Sequence, residues 1–170
     1  MSELLAPPLT AAAAWAVLEG VLDPEVPVLS VVELGIVRDV EVEGAEVTVT
    51  VTPTYSGCPA TEMIRDTIVA ALQAAGAEHV AVRMQLAPAW TTDWIAPAAA
   101  DKLRRYGIAP PHLAGAPLGA QPLRFHPRAL HCPRCDSTHT EQLSAFGSTA
   151  CKALYRCLDC REPFDYFKPI

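Results

Sequence analysis

No run of eighteen apolar residues occurs anywhere in the 170-residue sequence, so no segment is long enough to cross a bilayer as a helix. Positive charge is scarce. Thirteen Lys and Arg stand against nineteen Asp and Glu, and the formal net charge of -6 gives no general attraction to nucleic acid or an anionic membrane. The opening "MSELLAPPLTAAAAW" lacks the basic start and unbroken apolar core of a signal peptide, and Pro7 and Pro8 interrupt it. Together these absences predict a cytoplasmic protein with neither nucleic acid nor membrane as a partner. There is no GxGxxG to cradle a nucleotide, no paired Glu-x-x-His for a di-iron site, and no internal repeat. Cysteine is scarce as well, until the end of the chain: Cys58 stands alone, and the other five of six follow residue 130.

The first two-thirds of the chain carry enough apolar residues for a small domain. Residues Thr10 to Leu22 suit a helix, rich in alanine and striped by Trp15, Leu18 and Val21, with "DPE" (Asp23, Pro24, Glu25) as its exit. "SVVELGIVRDVEVEG" and "EVTVTVT" predict a hairpin turning near Gly44, with Val47, Val49 and Val51 on its buried face. From Pro59 the period becomes helical through Ile64, Ile68 and Leu72, and Gly76 supplies the stop. "HVAVRMQL" alternates again, with Val80, Val82, Met84 and Leu86 on one side. This order predicts an α+β domain, helices on one face of a three-stranded mixed sheet, over residues 1–108. A Pro-, Gly- and Ala-rich linker is expected at 109–123 and a second module at 124–170.

That second module holds "CPRC" and "CLDC", two CxxC pairs with 21 residues between them. Cys132, Cys135, Cys157 and Cys160 in this spacing can close a tetrahedral thiolate shell around a structural zinc, each pair supplied by a tight turn. A closed four-sulfur shell leaves no open position for water or substrate. Rubredoxin-like iron is the competing occupant. The intervening "TEQLSAFGSTACKALYRC" predicts two strands joined near Gly147, hence a zinc ribbon whose metal supplies stability that a small apolar core does not. His126, His131 and His139 flank the first pair but are not needed as ligands. Cys151 falls outside the spacing; it reads as a small buried residue, with a spare metal-binding thiolate as the alternative.

Cys58, in "TPTYSGCPATEM", sits at the expected start of the second helix, where free backbone N–H groups favour a thiolate. That position suits a nucleophile or metal ligand, and equally a small apolar residue beside a helix cap. Asp23 and Glu25 read as a solvated helix exit or as carboxylates that could join a cysteine around iron. Trp90 and Trp94, around Thr91, Thr92 and Asp93, form an aromatic segment suited to packing or to a partner interface.

"LDPEVPVLSVVELGIVRDV", "VTPTYSGCPATEMIRDTI", "PAWTTDWI" and "FGSTACKALYRCLDCREPFDYFKPI" together resemble the PaaD family of small proteins encoded with bacterial phenylacetyl-CoA ring 1,2-epoxidase. The N-terminal part is similar to SufT-like iron-sulfur assembly domains, which share the DPE and the cysteine of the TP-x-x-x-G-C-P loop. The resemblance implies an accessory protein, not an enzyme, that matures a metal centre in phenylacetate catabolism. Its implied partners are the oxygenase and reductase subunits, with iron-sulfur assembly proteins and a second copy of the chain as further candidates. The implied transfer site is Cys58 with Asp23 and Glu25, carrying a transient iron or iron-sulfur cluster, while the four ribbon cysteines hold zinc. The competing expectation is a non-catalytic structural subunit that docks through the ribbon. A thiol enzyme finds little support, because no histidine is placed as a base for Cys58.

Overall fold

The computed structural model describes residues 9–55, 57–111 and 130–170. The chain packs as two compact units, one ending at Trp90 and the other beginning at Thr91.

In the first unit, α1 spans Ala11–Leu18, shorter than the expected Thr10–Leu22. Thr10 is its cap, the hydroxyl accepting the Ala13 N–H at 3.2 Å, which ties down one of the donors that a helix start leaves unpaired. Ala14 and Leu18 are buried, and the helix packs against α2 and β1. The chain then loops back through Leu22 and Ser30, which bridge each other, before entering the sheet. Ser30 and Glu33 close the end of this loop reciprocally: each backbone N–H donates to the other's side chain, at 3.0 and 3.1 Å, as in a capping box.

Strands β1 (Val37–Glu43) and β2 (Glu46–Val51) form the expected antiparallel hairpin, with Gly44 in the left-handed region at the turn (φ 64°). Val47, Val49 and Val51 are buried as the alternation requires. Helix α2 (Ala60–Ala74) carries the chain across to β3 (His79–Met84), which pairs parallel to β2, so the sheet is mixed and ordered β1-β2-β3. Ala60, Ile64, Ile68 and Leu72, four residues apart, form the buried stripe of α2. Its end is a Schellman turn: Ala77 N–H donates to the Leu72 carbonyl and Gly76 N–H to that of Gln73, both at 3.0 Å, with Gly76 at φ 106°.

Strand β3 departs from the expected pattern. Val80 and Val82 are half-buried, while Met84 and Leu86 are exposed, because β3 is a sheet edge and its alternating face is only partly covered.

The second unit begins with a 3-10 helix, Thr92–Trp94, capped by the Thr91 hydroxyl, and continues with α3 (Ala99–Tyr106) and β4 (Ile108–Ala109). Residues 91–108, expected in the first domain, pack here for a visible reason: Thr92 N–H donates to the Ile170 carbonyl at 3.1 Å, and Ile108 and Ala109 pair with β7. Strands β5 (Thr140–Ser144), β6 (Lys152–Cys157) and β7 (Pro163–Phe167) complete an antiparallel ribbon, giving a sheet ordered β4-β7-β6-β5. The β5–β6 pair and its connection through Gly147 match the strand pair read from the sequence. Most of the expected linker, and His126 with it, lies outside the described residues.

Candidate metal centre and assembly loop

Two turns of the same construction carry the ribbon cysteines. In the first, Cys132 N–H donates to the Ser137 carbonyl at 2.9 Å; in the second, Cys157 N–H donates to the Glu162 carbonyl at 3.0 Å. In each, the residue after the second cysteine adopts the left-handed conformation, Asp136 at φ 62° and Arg161 at φ 67°. Non-glycine residues enter that region at a cost of about 1–2 kcal/mol, so the turn geometry is imposed by its surroundings. The result is convergence. The sulfurs of Cys132, Cys135, Cys157 and Cys160 all lie within 4.8 Å of one another, with Cys132–Cys160 at 3.7 Å and Cys135–Cys157 at 3.6 Å. A tetrahedral ion with metal–sulfur bonds of about 2.3 Å needs sulfur–sulfur edges of about 3.8 Å, so the donor set fits a metal of zinc's size.

The thiols are electrostatically unequal. The Cys160 backbone N–H, 3.5 Å from the Cys157 sulfur, leads the influences that pull that thiol down to about 6 against the opposing effect of burial. At Cys135 the Ser137 backbone interaction pulls downward, but desolvation and the sulfurs of Cys157, Cys160 and Cys132 outweigh it and push the thiol up to about 12. Crowded sulfurs cannot all ionise in the absence of a cation, and a bound metal ion relieves that conflict. Around the shell lies a small core of Ala109, Leu130 and Phe164 with Tyr155 and Tyr166 beside it.

His131 and His139 stand outside the sulfur cluster. His131 contacts Asp136 at 3.2 Å and His139 contacts Asp159 at 3.1 Å. Asp159 is held below the usual carboxylate range by the Ser137 hydroxyl first and by His139 second, so this trio cross-links the two cysteine turns. Cys151 is buried, its sulfur 3.0 Å from the Thr149 hydroxyl, and takes no part in the cluster.

In the first unit, the DPE loop is built around Asp23. This residue is buried, and its Oδ1 accepts the N–H groups of Glu25 and Val26, both at 2.8 Å. Asp23 N–H donates to the Leu29 carbonyl at 2.9 Å, so the carboxylate organises a closed turn, while Glu25 is half-buried. The helix-exit reading of Asp23 is therefore incomplete: it is the internal scaffold of the loop.

Cys58 is half-buried and belongs to no disulfide. Helix α2 starts at Ala60 with Pro59 at the cap position, so Cys58 lies one residue before the cap it was expected to occupy. Its carbonyl accepts the Thr61 N–H at 3.2 Å and its N–H donates to the Tyr55 carbonyl at 3.3 Å, which fastens the loop to the first turn of α2. Gly57, at φ 84° with open space where a Cβ would stand, makes the bend. Trp90 is buried and donates its indole N–H to the Leu34 carbonyl at 2.9 Å, which makes it a packing residue.

Two modules of different kind are thus joined: an α+β domain with a cysteine loop at a helix start, and a four-cysteine ribbon. Comparison with known proteins divides the chain in the same way. Residues 11–84 match the family described as iron-sulfur cluster assembly protein, and residues 119–168 match the PaaD zinc beta ribbon domain. Among solved structures, a domain of unknown function, DUF59, from Bacillus anthracis is similar, with a TM-score of 0.51 and 27% identity, over 55% of this chain and 90% of that one. A conserved hypothetical protein from Thermotoga maritima is similar at a TM-score of 0.51 and 29% identity, over 58% of this chain and 98% of that one. An Escherichia coli (strain K12) protein, provisionally named as one of the subunits of 1,2-phenylacetyl-CoA epoxidase, is 52% identical over 158 residues, 92% of this chain and 91% of its own. The chain belongs to the PaaD family. Among the described residues, no helix is long and apolar enough to cross a membrane.

Proposed function

We propose that this chain is a non-catalytic maturation factor for a phenylacetyl-CoA epoxidase, delivering iron or an iron-sulfur cluster to the oxygenase or reductase subunit through Cys58. The observation that carries this reading is the pairing of an assembly-type domain with extensive identity to a protein named as an epoxidase subunit. The cargo is the substrate here. A carrier needs a ligand that binds a soft metal and releases it, and a half-buried thiol on a bent loop meets that need better than a sealed one. Glu25 supplies a harder oxygen donor, and Asp23 keeps the DPE loop in shape. Hand-over is then ligand exchange. The client's own side chains replace the Cys58 sulfur, with no change in oxidation state required.

The ribbon has a different task in this account. Cys132, Cys135, Cys157 and Cys160 hold a structural zinc; the closed sulfur shell supports that assignment because it offers the metal no exchangeable position. The ribbon would then select the client. A second reading, in which the chain is a structural component that docks onto the epoxidase complex, draws support from the Escherichia coli relative's being named as a subunit.

Anaerobic reconstitution with iron and sulfide separates the two. The delivery reading expects iron in excess of the zinc equivalent and a visible thiolate-to-iron absorption, both lost in Cys58→Ala while zinc stays bound. Identical iron uptake by native protein and Cys58→Ala would contradict it.

A further inference from the structure

The second unit contains a cavity of about 310 Å³ beside the first cysteine turn, at the small end of the range for small-molecule sites. Its walls come from separate parts of the chain: Arg104, Arg105 and Tyr106 from the last turn of α3, Arg134 from inside the CPRC turn, and Glu162 and Phe164 from the approach to β7 and from that strand. Arg134 and Glu162 pair at 2.6 Å, so the single carboxylate among these residues is already engaged. Among the described residues, neither Arg104 nor Arg105 has an ion-pair partner. Counting Arg104, Arg105 and Arg134 against Glu162, these four side chains leave two positive charges in excess, and they stand beside Cys132, whose sulfur belongs to the four-thiolate cluster and also lines the cavity.

Cationic residues at a helix C-terminus are favoured by the helix dipole, which explains Arg104 and Arg105 on α3 alone. It does not explain why that helix end meets the CPRC turn around one cavity, nor the aromatic side of the wall. Tyr106 is 54% exposed at that cavity and Phe164 is buried behind it. Guanidinium groups bind phosphate oxygens in forked pairs, and an open tyrosine ring offers a face on which a planar ring can stack.

We propose that this cleft is a binding site for a phosphorylated small molecule bearing a flat ring, of the nucleoside diphosphate class, with the phosphates on Arg104 and Arg105 and the ring against Tyr106. Arg134 forms the far wall and is held out of the way by Glu162 until an anion competes for it. A concave site with one apolar side favours such a ligand over an acidic peptide, which would need charge along an extended groove.

The test is a titration of the isotope-labelled full chain, with its metal bound, by ADP, by pyrophosphate and by adenosine in separate arms, read from backbone amide resonances. ADP is expected to shift Gly107, Arg134 and Phe164 saturably, and to bind more tightly than either fragment. Replacing Arg104 and Arg105 together by alanine is expected to weaken ADP by about tenfold or more, as loss of charged hydrogen bonds requires, with metal content and the rest of the spectrum unchanged. Arg134→Ala, which releases Glu162 to repel the anion, serves as an independent variant from the other wall and is expected to weaken ADP as well. Tyr106→Ala should weaken ADP and leave pyrophosphate unaffected. The proposal is overturned if these amides do not shift saturably by about 5 mM ADP, a concentration that would load most of a site with a Kd of about 1 mM. It is equally overturned if binding survives every arginine variant, or if a glutamate-rich peptide occupies the cleft and ADP does not.

Discussion

Replacing Ile68 by alanine tests the frame that holds the Cys58 loop. Ile68 is fully buried at the middle of α2, with Ile64 one turn before it and Leu72 one turn after, both also buried. Deleting its three outer carbons removes burial and leaves a void that a helix fixed at both ends cannot close. Such truncations cost about 2–5 kcal/mol, a large part of the roughly 5–15 kcal/mol available to a domain. For a unit of this size that corresponds to a fall in melting temperature of about 10–30 °C. Met63 provides the control: it lies on the same helix, is 58% exposed, and should tolerate alanine within about 0.5 kcal/mol. Urea unfolding of both variants, followed by far-ultraviolet circular dichroism, gives the comparison. Near-equal costs, or a cost for Ile68→Ala below about 1 kcal/mol, would mean that α2 does not present this face to the sheet and that the register placing Cys58 at its start is wrong.

Further outcomes follow from the same geometry. Gly76→Ala should destabilise the first unit by about 1–2 kcal/mol in the same unfolding assay, because the Schellman turn holds this residue at φ 106°. Stripping the metal with a strong chelator should abolish the dispersed amide resonances of β5, β6 and β7, and stoichiometric zinc should restore them; a metal-free ribbon that stays ordered would remove the structural role. Breaking the exposed Arg134–Glu162 pair with Glu162→Gln should change unfolding free energy by no more than about 1 kcal/mol and leave zinc content intact.

The α+β frame was legible because its elements announce themselves locally. The valine alternation of β2, the four-residue spacing of Ile64, Ile68 and Leu72, and Gly76 as a stop each encode one element with little help from elsewhere. The CxxC pairs foretold the sulfur cluster for a similar reason, since two short turns need only be brought together by one strand pair. What the sequence concealed depends on contacts between distant residues. Strand β3 has the alternation of a half-buried strand, yet its edge position leaves Met84 and Leu86 exposed, and edge position is not written in the strand itself. Asp23 reads locally as a polar exit, whereas its burial follows from the closure of Leu22 onto Ser30. Residues 91–108 look like a continuation of the first domain, because the pairing of Ile108 and Ala109 with β7 spans more than fifty positions. The arginine-lined cleft had a partial signal in "KLRRYG", but nothing in that stretch names Arg134 as its neighbour.

The delivery role is tested most directly by the iron content of the epoxidase oxygenase and reductase subunits isolated from cells in which this chain carries Cys58→Ala. Both polypeptides are expected to accumulate and assemble, at least one of them deficient in iron, and growth on phenylacetate is expected to fail while the variant itself retains its zinc. Full iron loading of both subunits in that background would contradict the account and leave the chain as a docking component of the complex.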